Sequence, residues 1–369
     1  QSLTFSDIDR MSRDFAAYLL GPAGLERGQR VAIQLPNLCQ YPVAAWGILR
    51  AGLVLVNTNP LYTQRELLHQ FTDAGVSALV CLADLLPNLE RVVPETDIKT
   101  VIVTNVFDLI EAQPAPVSAL TGLVTLPDAL AQGETCELTD PGTTINDIAM
   151  VQYTGGTTGV AKGAVLTHGN ILASSRQSGS IVKVDPERPD IVIAPMPLYH
   201  IYGFTMNIVG TFCLGGHSVL IPDPRDIGSL IETMKAYPFT ALAGVNTLFL
   251  GLMQHPEFDT VDFSHVKGVI AGGAALVEEI ASEWERRTGS DIYEGYGLSE
   301  TASALSCNSE EHRQLGTVGK QMPWMEVKIV GSEGQTLAAG QEGELLVRGP
   351  QVMHGYWRRP ESTDEALDT

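Results

Sequence analysis

The sequence predicts an α/β protein of two packed units, each with a largely parallel sheet in a layered αβαβα arrangement, followed by a small β-rich unit. Short apolar runs alternate with helix-like segments in two stretches, which is typical of parallel sheets covered by helices. A proline-rich connection divides these stretches, and short strands separated by glycine turns follow the second one. We therefore expect one unit at residues 31–184, a second that combines 1–30 with 185–317, and a third at 318–369.

The first stretch contains five predicted elements. A strand, a helix, a strand, a helix and a strand are expected in this order at 31–35, 40–51, 53–57, 63–74 and 78–82. Thr63 suits the cap position of the second helix because Glu66 stands three residues later. Residues 107–147 are rich in proline, threonine and glycine, so we predict a long surface connection there with one or two short elements.

After this connection, a strand at 147–153 runs into a glycine–threonine loop, and the second stretch follows. Strands and helices are then predicted in turn at 191–195, 205–213, 218–222, 228–236, 240–244 and 268–271. The third unit should contain strands at 327–331 and 343–347 and a helix that begins near residue 360.

The composition argues against nucleic acid as the main partner. Lys and Arg total 23 against 43 Asp and Glu, and the resulting net charge of -20 repels phosphate backbones and anionic lipid. The five cysteines are scattered and form no Cys-x-x-Cys pair, so neither a disulfide framework nor a zinc site is indicated. A reducing, cytoplasmic location fits this pattern best.

Residues 201–221 are apolar over a length that raises the question of a membrane span. Asn207, His217 and a glycine pair interrupt this run, so we predict a buried helix, a glycine turn and a short strand instead. The N-terminus has no signal-peptide pattern. We expect no integral membrane segment, while peripheral contact with the inner membrane and the oligomeric state stay open.

The strongest motif is YTGGTTGVAKG at residues 153–163. Its glycines allow sharp turns that bring backbone N–H groups close to a ligand, its threonines add hydroxyl donors, and Lys162 adds a compact positive charge. It is not a Walker A loop, because Gly163 follows the lysine. The alternative is a flexible turn with an incidental lysine, but the loop follows an apolar strand and combines ten specific positions. These features favour a site for a polyphosphate.

Three further segments carry candidate chemistry. PLYHIYGF places His200 between aromatic residues, where it can hydrogen-bond a phosphate or a carboxylate, although a lone histidine is more often structural. AGGAAL permits close approach of a ligand, and an ordinary strand-to-helix turn is its alternative. YEGYGLSET offers Tyr296 for stacking on a base, Ser299 for a phosphate oxygen and Glu300 as an oxygen ligand for magnesium.

These segments, together with LTHGN at 166–170 and GELLVRGPQVMHGYW at 343–357, resemble the adenylate-forming superfamily. That superfamily includes acyl-CoA synthetases, coumarate–CoA ligases, luciferases and the adenylation domains of peptide synthetases. The resemblance extends over essentially the whole chain. Ala161, where the family usually has proline, and the segments at 245–253 and 262–267 make the chain most similar to bacterial long-chain fatty-acid–CoA ligases.

The resemblance implies ATP, Mg²⁺ and coenzyme A as small-molecule ligands and assigns roles to residues of the motifs. Glu300 is the implied metal ligand. The implied catalytic residues are Thr157, Lys162, His200 and Glu300. The implied nucleotide-binding residues are Thr154, Gly155, Gly156, Thr157, Thr158, Gly159, Lys162, Gly273, Ala274, Glu294, Gly295, Tyr296, Gly297 and Ser299. The candidates for the acyl pocket are Gly203, Phe204, Asn207, Val245, Asn246, Leu248, Gly272, Gly273, Ala274 and Ala275.

The implied reaction joins a carboxylic acid to AMP, releases pyrophosphate and then forms a CoA thioester. The family's ribose-binding aspartate and its mobile C-terminal lid domain, which carries a reactive-site lysine, have no counterpart in this sequence. We therefore expect the chain alone to bind ATP and acid weakly and to turn over slowly. The small, apolar pocket candidates favour a medium- to long-chain fatty acid. An aryl acid, another kind of adenylation domain and a non-catalytic nucleotide-binding homologue are the alternatives.

Overall fold

The computed structural model describes residues 1–111, 113–154, 161–180 and 187–367. This part of the chain contains two seven-stranded sheets, a two-stranded antiparallel sheet and helices packed against them. The predicted α/β architecture is therefore confirmed.

The first sheet is parallel except for its last strand, and its spatial order is β5-β4-β3-β1-β2-β6-β7. Its strands are β1 (Arg30–Gln34), β2 (Val54–Asn57), β3 (Val76–Leu82), β4 (Thr100–Thr104), β5 (Leu123–Thr125), β6 (Ile148–Tyr153) and β7 (Gly163–Thr167). Strand β4 was not predicted, because a short apolar run does not by itself reveal its secondary structure. Strand β7 returns antiparallel to β6, so the loop between them begins and ends at one edge of the sheet.

Helices cover both faces of the first sheet, as its buried strands require. They are α1 (Phe5–Leu20), α2 (Gln40–Arg50), α3 (Gln64–Ala74), α4 (Leu86–Val92), α5 (Leu126–Glu134) and α6 (His168–Ser180). Along β1, Val31 and Ile33 join the core beneath α1, α2 and α5, whereas Ala32 joins the core beneath α3 and α4. Thr63 caps α3 as predicted, since its side chain accepts the Glu66 N–H and Glu66 in turn accepts the Thr63 N–H.

Helix α1 packs on the first unit, although residues 1–30 were assigned to the second. Phe15 and Leu19 on its apolar face are fully buried in the same core as β1. The Arg13 guanidinium on the same helix donates to the Cys136 carbonyl after α5, at 2.7 Å. The apolar face of α1 therefore finds its partner in α2 and α5.

The second sheet has the order β14-β13-β12-β11-β10-β8-β9. Its strands are β8 (Ile191–Ala194), β9 (His217–Leu220), β10 (Ala241–Gly244), β11 (Gly268–Ala271), β12 (Ile292–Leu298), β13 (Ser303–Cys307) and β14 (Lys320–Gln321). Strands β8 to β12 run parallel, and β13 and β14 are antiparallel additions at one edge.

The apolar run at 201–221 folds as the predicted helix, glycine turn and strand. The helix consists of α7 (Ile201–Gly203), a π-helical segment (Phe204–Gly210) and α8 (Thr211–Cys213). Phe204 packs edge-on against Tyr41 and near Trp46, so this segment seals the first core while its ends join strands of the second sheet. None of the helices in the described ranges has the length and apolarity that crossing a membrane requires.

The remaining helices of the second unit enclose an aromatic core. They are α9 (Ile227–Ala236), α10 (Asn246–Gln254) and α11 (Glu278–Thr288). The fully buried Trp284 of α11 lies 5.3 Å from Phe249 and 5.4 Å from Phe258, measured between ring centroids. Such edge-on and tilted ring pairs add to the free energy gained from burial alone.

The third unit begins with the antiparallel pair β15 (Glu326–Val330) and β16 (Glu344–Arg348), as predicted, and ends with α12 (Pro360–Ala366). Between them the chain returns to the first sheet and pairs with β7. The Val165 N–H donates to the Gly355 carbonyl at 2.9 Å, and the Trp357 N–H donates to the Gly163 carbonyl at 2.7 Å. The segment at 354–357, called the return segment below, therefore forms part of the first sheet's edge.

Candidate functional site

Three of the predicted motifs follow strands of the two parallel sheets. The glycine–threonine loop follows β6, the AGGAAL segment follows β11, and Tyr296 to Glu300 lie at the end of β12. In sheets of this kind ligands bind at the carboxyl ends of the strands. The candidate site is therefore the space next to these strand ends, which is called the cleft below.

Only the two ends of the glycine–threonine loop fall within the described residues. The Thr154 N–H donates to the Lys162 carbonyl at 3.0 Å, which closes the base of the loop above the β6–β7 hairpin. The predicted positions Gly155, Gly156, Thr157, Thr158 and Gly159 lie outside the described residues. The pairing of β6 with β7 nevertheless fixes the backbone position of Lys162.

Lys162 and Glu300 both contact the side chain of Tyr356. The Lys162 Nζ lies 5.1 Å from the centroid of the Tyr356 ring, and the Tyr356 hydroxyl donates to Glu300 Oε1 at 2.7 Å. Burial raises the pKa of Tyr356, and the bond to the Glu300 carboxylate raises it further, so the phenol stays protonated and donates. The loop lysine and the predicted metal ligand therefore face the same part of the cleft. Tyr356 belongs to the 343–357 motif and was not among the site residues predicted from the sequence.

The turn that carries Glu300 is held in an uncommon backbone conformation. Ala302 and Ser303 have φ values of 49° and 111°, a region that side-chain-bearing residues rarely adopt. The Thr301 hydroxyl donates within this turn and accepts the Leu298 N–H at 3.1 Å. Local strain of this kind persists where the surrounding contacts over-determine the backbone, and it is frequent at functional sites.

Helix α6 ties the Glu300 turn to the chain that precedes the return segment. The Ser174 hydroxyl donates to the Ala302 carbonyl at 2.7 Å. The Asn170 amide, from the LTHGN motif, donates to the carbonyls of Pro350 and Val352 at 2.8 and 2.9 Å. Three sequence-distant motifs are thus joined by buried polar side chains of one helix.

The β12 motif divides into structural and exposed positions. Glu294 is buried, and its Oε1 accepts the Leu276 N–H at 3.0 Å, so its carboxylate supports the AGGAAL turn. Tyr296 and Gly297 are exposed at the strand end, while Gly295 and Ser299 are half-buried. Gly273 and Ala274 are also exposed, and Gly273 has a φ of 80°.

His200 lies at the start of α7, close to the end of β11. Its Nδ1 accepts the Tyr202 N–H at 3.2 Å, which leaves Nε2 as the protonated nitrogen of the neutral ring. The Tyr202 hydroxyl donates to the Ile270 carbonyl at 3.1 Å, so this turn is anchored on β11. The His200 ring reaches solvent but has protein on most sides, and this burial lowers its pKa.

The predicted acyl-pocket residues do not all face open space. Phe204 is fully buried against the core. Asn207 is also fully buried, and among the described residues its Oδ1 has no hydrogen-bond partner. Asn246 bridges two backbone groups, since its amide donates to the Ala275 carbonyl at 2.7 Å and its Oδ1 accepts the Val277 N–H at 3.0 Å. Gly272 packs beneath the Tyr202 ring.

The lowered pKa of His200 predicts a pH-dependent contribution to stability. The unfolded chain binds a proton at this site below about pH 6.5 while the folded chain resists it, so the unfolding free energy should fall as pH drops through that value. His200→Asn should therefore unfold with a shallower pH dependence than the unmodified protein, measured by denaturant titration from about pH 7.5 to 5.5. The exposed His265→Asn variant is the matched control, and equal slopes for His200→Asn and the unmodified protein would contradict the prediction.

Comparisons with known proteins show what the chain is similar to. The family described as AMP-binding enzyme matches residues 1–357. A long-chain-fatty-acid–CoA ligase from Salmonella typhimurium is 42% identical over 99% of this chain and 68% of its own length. The ATP-bound structure of MatB from Rhodopseudomonas palustris is 28% identical, with a TM-score of 0.85 over 99% of this chain and 68% of that one. A long-chain-fatty-acid–CoA ligase structure from Archaeoglobus fulgidus, 24% identical, has the same fold, with a TM-score of 0.85 over 99% and 71%.

Proposed function

The chain belongs to the AMP-binding enzyme family, as an acyl-CoA synthetase, and we propose that it activates a medium- to long-chain fatty acid with ATP and passes it to coenzyme A. A carboxylate oxygen attacks the α-phosphorus of ATP, and the bond to pyrophosphate breaks. The CoA thiol then takes the acyl group, and AMP leaves. The observation that carries this proposal is that the Lys162 ammonium and the Glu300 carboxylate both contact the Tyr356 side chain. A metal-bound polyphosphate needs a cation and a carboxylate close to each other.

The proposed phosphate site consists of Lys162, Thr154 and the loop between them. Lys162 supplies a point charge and Thr154 a hydroxyl, at the two ends of the loop that joins β6 to β7. A chain with a net charge of -20 repels ATP at long range, so binding depends on such local donors.

Glu300 fits the role of the one protein carboxylate on a magnesium ion that arrives with ATP. Magnesium in nucleotide sites is usually held by phosphate oxygens, waters and one or two carboxylates. Within the described residues no cluster of three or more metal-ligating side chains occurs, so a metal cage built from the protein is not supported there. Once bound, the ion would screen the charge on the phosphates.

The proposed chemistry needs no general base. An aliphatic carboxylic acid, with a pKa near ~4.3 like that of a Glu side chain, is already an anion near neutral pH. The barrier is the approach of this anion to the polyanionic nucleotide. Lys162 would stabilise the leaving pyrophosphate, and the neutral His200 can donate from Nε2 to a phosphate or carboxylate oxygen without adding a proton to the nucleophile.

The preference for an apolar acid is supported by the 42% identity with a long-chain-fatty-acid–CoA ligase. The 201–213 helix also has apolar surroundings. This helix extends roughly 20 Å from His200, and an apolar pocket of about 340 Å³ lies at its far end. The pocket is lined by Trp46, Leu49, His168, Ile171, Leu172, Val209, Phe212 and Cys213. An amino acid as substrate would need a carboxylate partner for its ammonium group, and none of the candidate acyl-pocket residues is acidic.

ATP–pyrophosphate exchange across a panel of acids tests the proposal in the complete gene product. We expect exchange to depend on a medium- or long-chain fatty acid and on magnesium, and to be slower with coumarate or benzoate. Dependence on an amino acid would indicate a peptide-synthetase-like adenylation domain. ATP binding without exchange for any acid would indicate a non-catalytic nucleotide-binding protein. Either result would overturn the proposed substrate or activity.

A further inference from the structure

Tyr356 touches both of the charged groups that the proposed reaction needs. Its ring lies under the Lys162 ammonium, and its hydroxyl is bonded to the Glu300 carboxylate. A cation over an aromatic face is attracted by the ring quadrupole, and a phenol donor to a carboxylate is a charge-assisted hydrogen bond. One side chain therefore restrains two groups that belong to different sheets.

Backbone pairing fixes the position of Tyr356 along β7, close to Lys162. Tyr356 forms a bridge with Ala164 of β7, two residues after the lysine, and hydrogen bonds on both sides of this bridge continue the pairing. The Tyr356 N–H also donates to the Thr363 hydroxyl of α12 at 2.9 Å. The backbone of Tyr356 therefore cannot shift along β7 unless the return segment separates from that strand.

The end of the return segment and the residues that follow it are anchored to α3 by a second set of contacts. The Arg359 guanidinium contacts Asp73 Oδ1 at 2.6 Å, and the Tyr153 hydroxyl donates to Asp73 Oδ2 at 2.7 Å. The Trp357 indole N–H donates to the Asp73 carbonyl at 3.1 Å. The Asp73 side chain is 10% exposed, so these bonds are shielded from water. These contacts hold the chain next to Tyr356 against α3.

The same stretch of chain also holds the backbone of Glu300. The Met353 N–H donates to the Glu300 carbonyl at 2.8 Å. The carboxylate at position 300 is thus restrained at its backbone by Met353 and at Oε1 by Tyr356. Because a carboxylate is planar and can accept through both oxygens, fixing Oε1 fixes the direction of Oε2 as well.

We propose that Tyr356 is a positioning residue that aims the Lys162 ammonium and the Glu300 carboxylate at one metal-bound polyphosphate. This inference rests on the proposed function. The ring contributes to ATP binding through Lys162, and the hydroxyl contributes to metal-dependent binding through Glu300. The two parts of the side chain are separable by substitution.

Two variants separate these contributions. Tyr356→Phe keeps the ring under Lys162 and removes the hydroxyl, whereas Tyr356→Leu removes both. The control Tyr237→Phe removes a hydroxyl beside His217, on the opposite edge of the second sheet. ATP affinity is measured by calorimetry in the complete gene product, once with EDTA and once across a magnesium titration, and thermal unfolding confirms that each variant folds.

Tyr356→Phe should raise the magnesium concentration for half-maximal ATP binding about tenfold, the usual effect of losing a group that orients a metal ligand, and leave affinity in EDTA unchanged. Tyr356→Leu should weaken binding in both conditions, and Tyr237→Phe in neither. A Tyr356→Phe protein with an unchanged magnesium dependence would overturn the positioning role while leaving the proposed function intact. An unmodified protein that binds no ATP would overturn the proposed function itself.

Discussion

Replacing Glu300 with glutamine is expected to lower fatty-acid-dependent ATP–pyrophosphate exchange by about 10²–10³-fold, the usual cost of removing one charge-stabilising group from an active site. The amide keeps an oxygen that can accept the Tyr356 hydroxyl, now 2.7 Å from Oε1, so the turn should stay folded. The substitution therefore removes the negative charge with little change in shape. Initial rates at saturating ATP and over a range of magnesium concentrations measure the effect.

The matched control is Glu326→Gln on β15. This carboxylate is 77% exposed and its contact with Arg348 is long, at 3.7 Å, so its loss should leave exchange unchanged. Thermal unfolding should be the same for both variants. Should Glu300→Gln retain exchange within about threefold of the unmodified protein, far from the loss expected of a transition-state contact, Glu300 could not be the metal ligand.

Gly297→Ala is expected to lower the free energy of unfolding by about 3 kcal/mol, near the upper end for a side chain forced into packed structure. A Cβ at this position would lie 1.9 Å from the Ser303 carbonyl oxygen, which is backbone and cannot rotate away. This clash can be relieved only if β12 and β13 move apart next to the Glu300 turn. Exchange activity should therefore fall together with stability, and denaturant unfolding measures the stability.

Gly289→Ala provides the comparison for this variant. Gly289 caps α11 with a φ of 71°, and a Cβ there would meet nothing within 4 Å. The cost of alanine then comes from the left-handed backbone conformation, and we expect the free energy of unfolding to fall by about 1 kcal/mol. Equal losses for the two variants would show that the contact between Gly297 and Ser303 does not constrain the sheet.

Several features followed from the sequence alone because they depend on neighbouring residues. The cap at Thr63 needs only Glu66 three positions on, and both hydrogen bonds of this cap are present. The apolar run at 201–221 was predicted as helix, turn and strand from its polar interruptions and its glycine pair, and the structure confirms this. The chemistry of Lys162 and Glu300 was likewise evident from motifs a few residues long.

Tertiary structure alone decided which of these groups work together and what joins them. Helix α1 packs on the first unit because its apolar face complements α2 and α5, which no local pattern reveals. Tyr356 stands 56 residues from Glu300 in sequence, and its place between Glu300 and Lys162 depends on pairing of the return segment with β7. Sequence motifs report the chemistry of a side chain, whereas contacts between distant segments arise only when the sheets assemble.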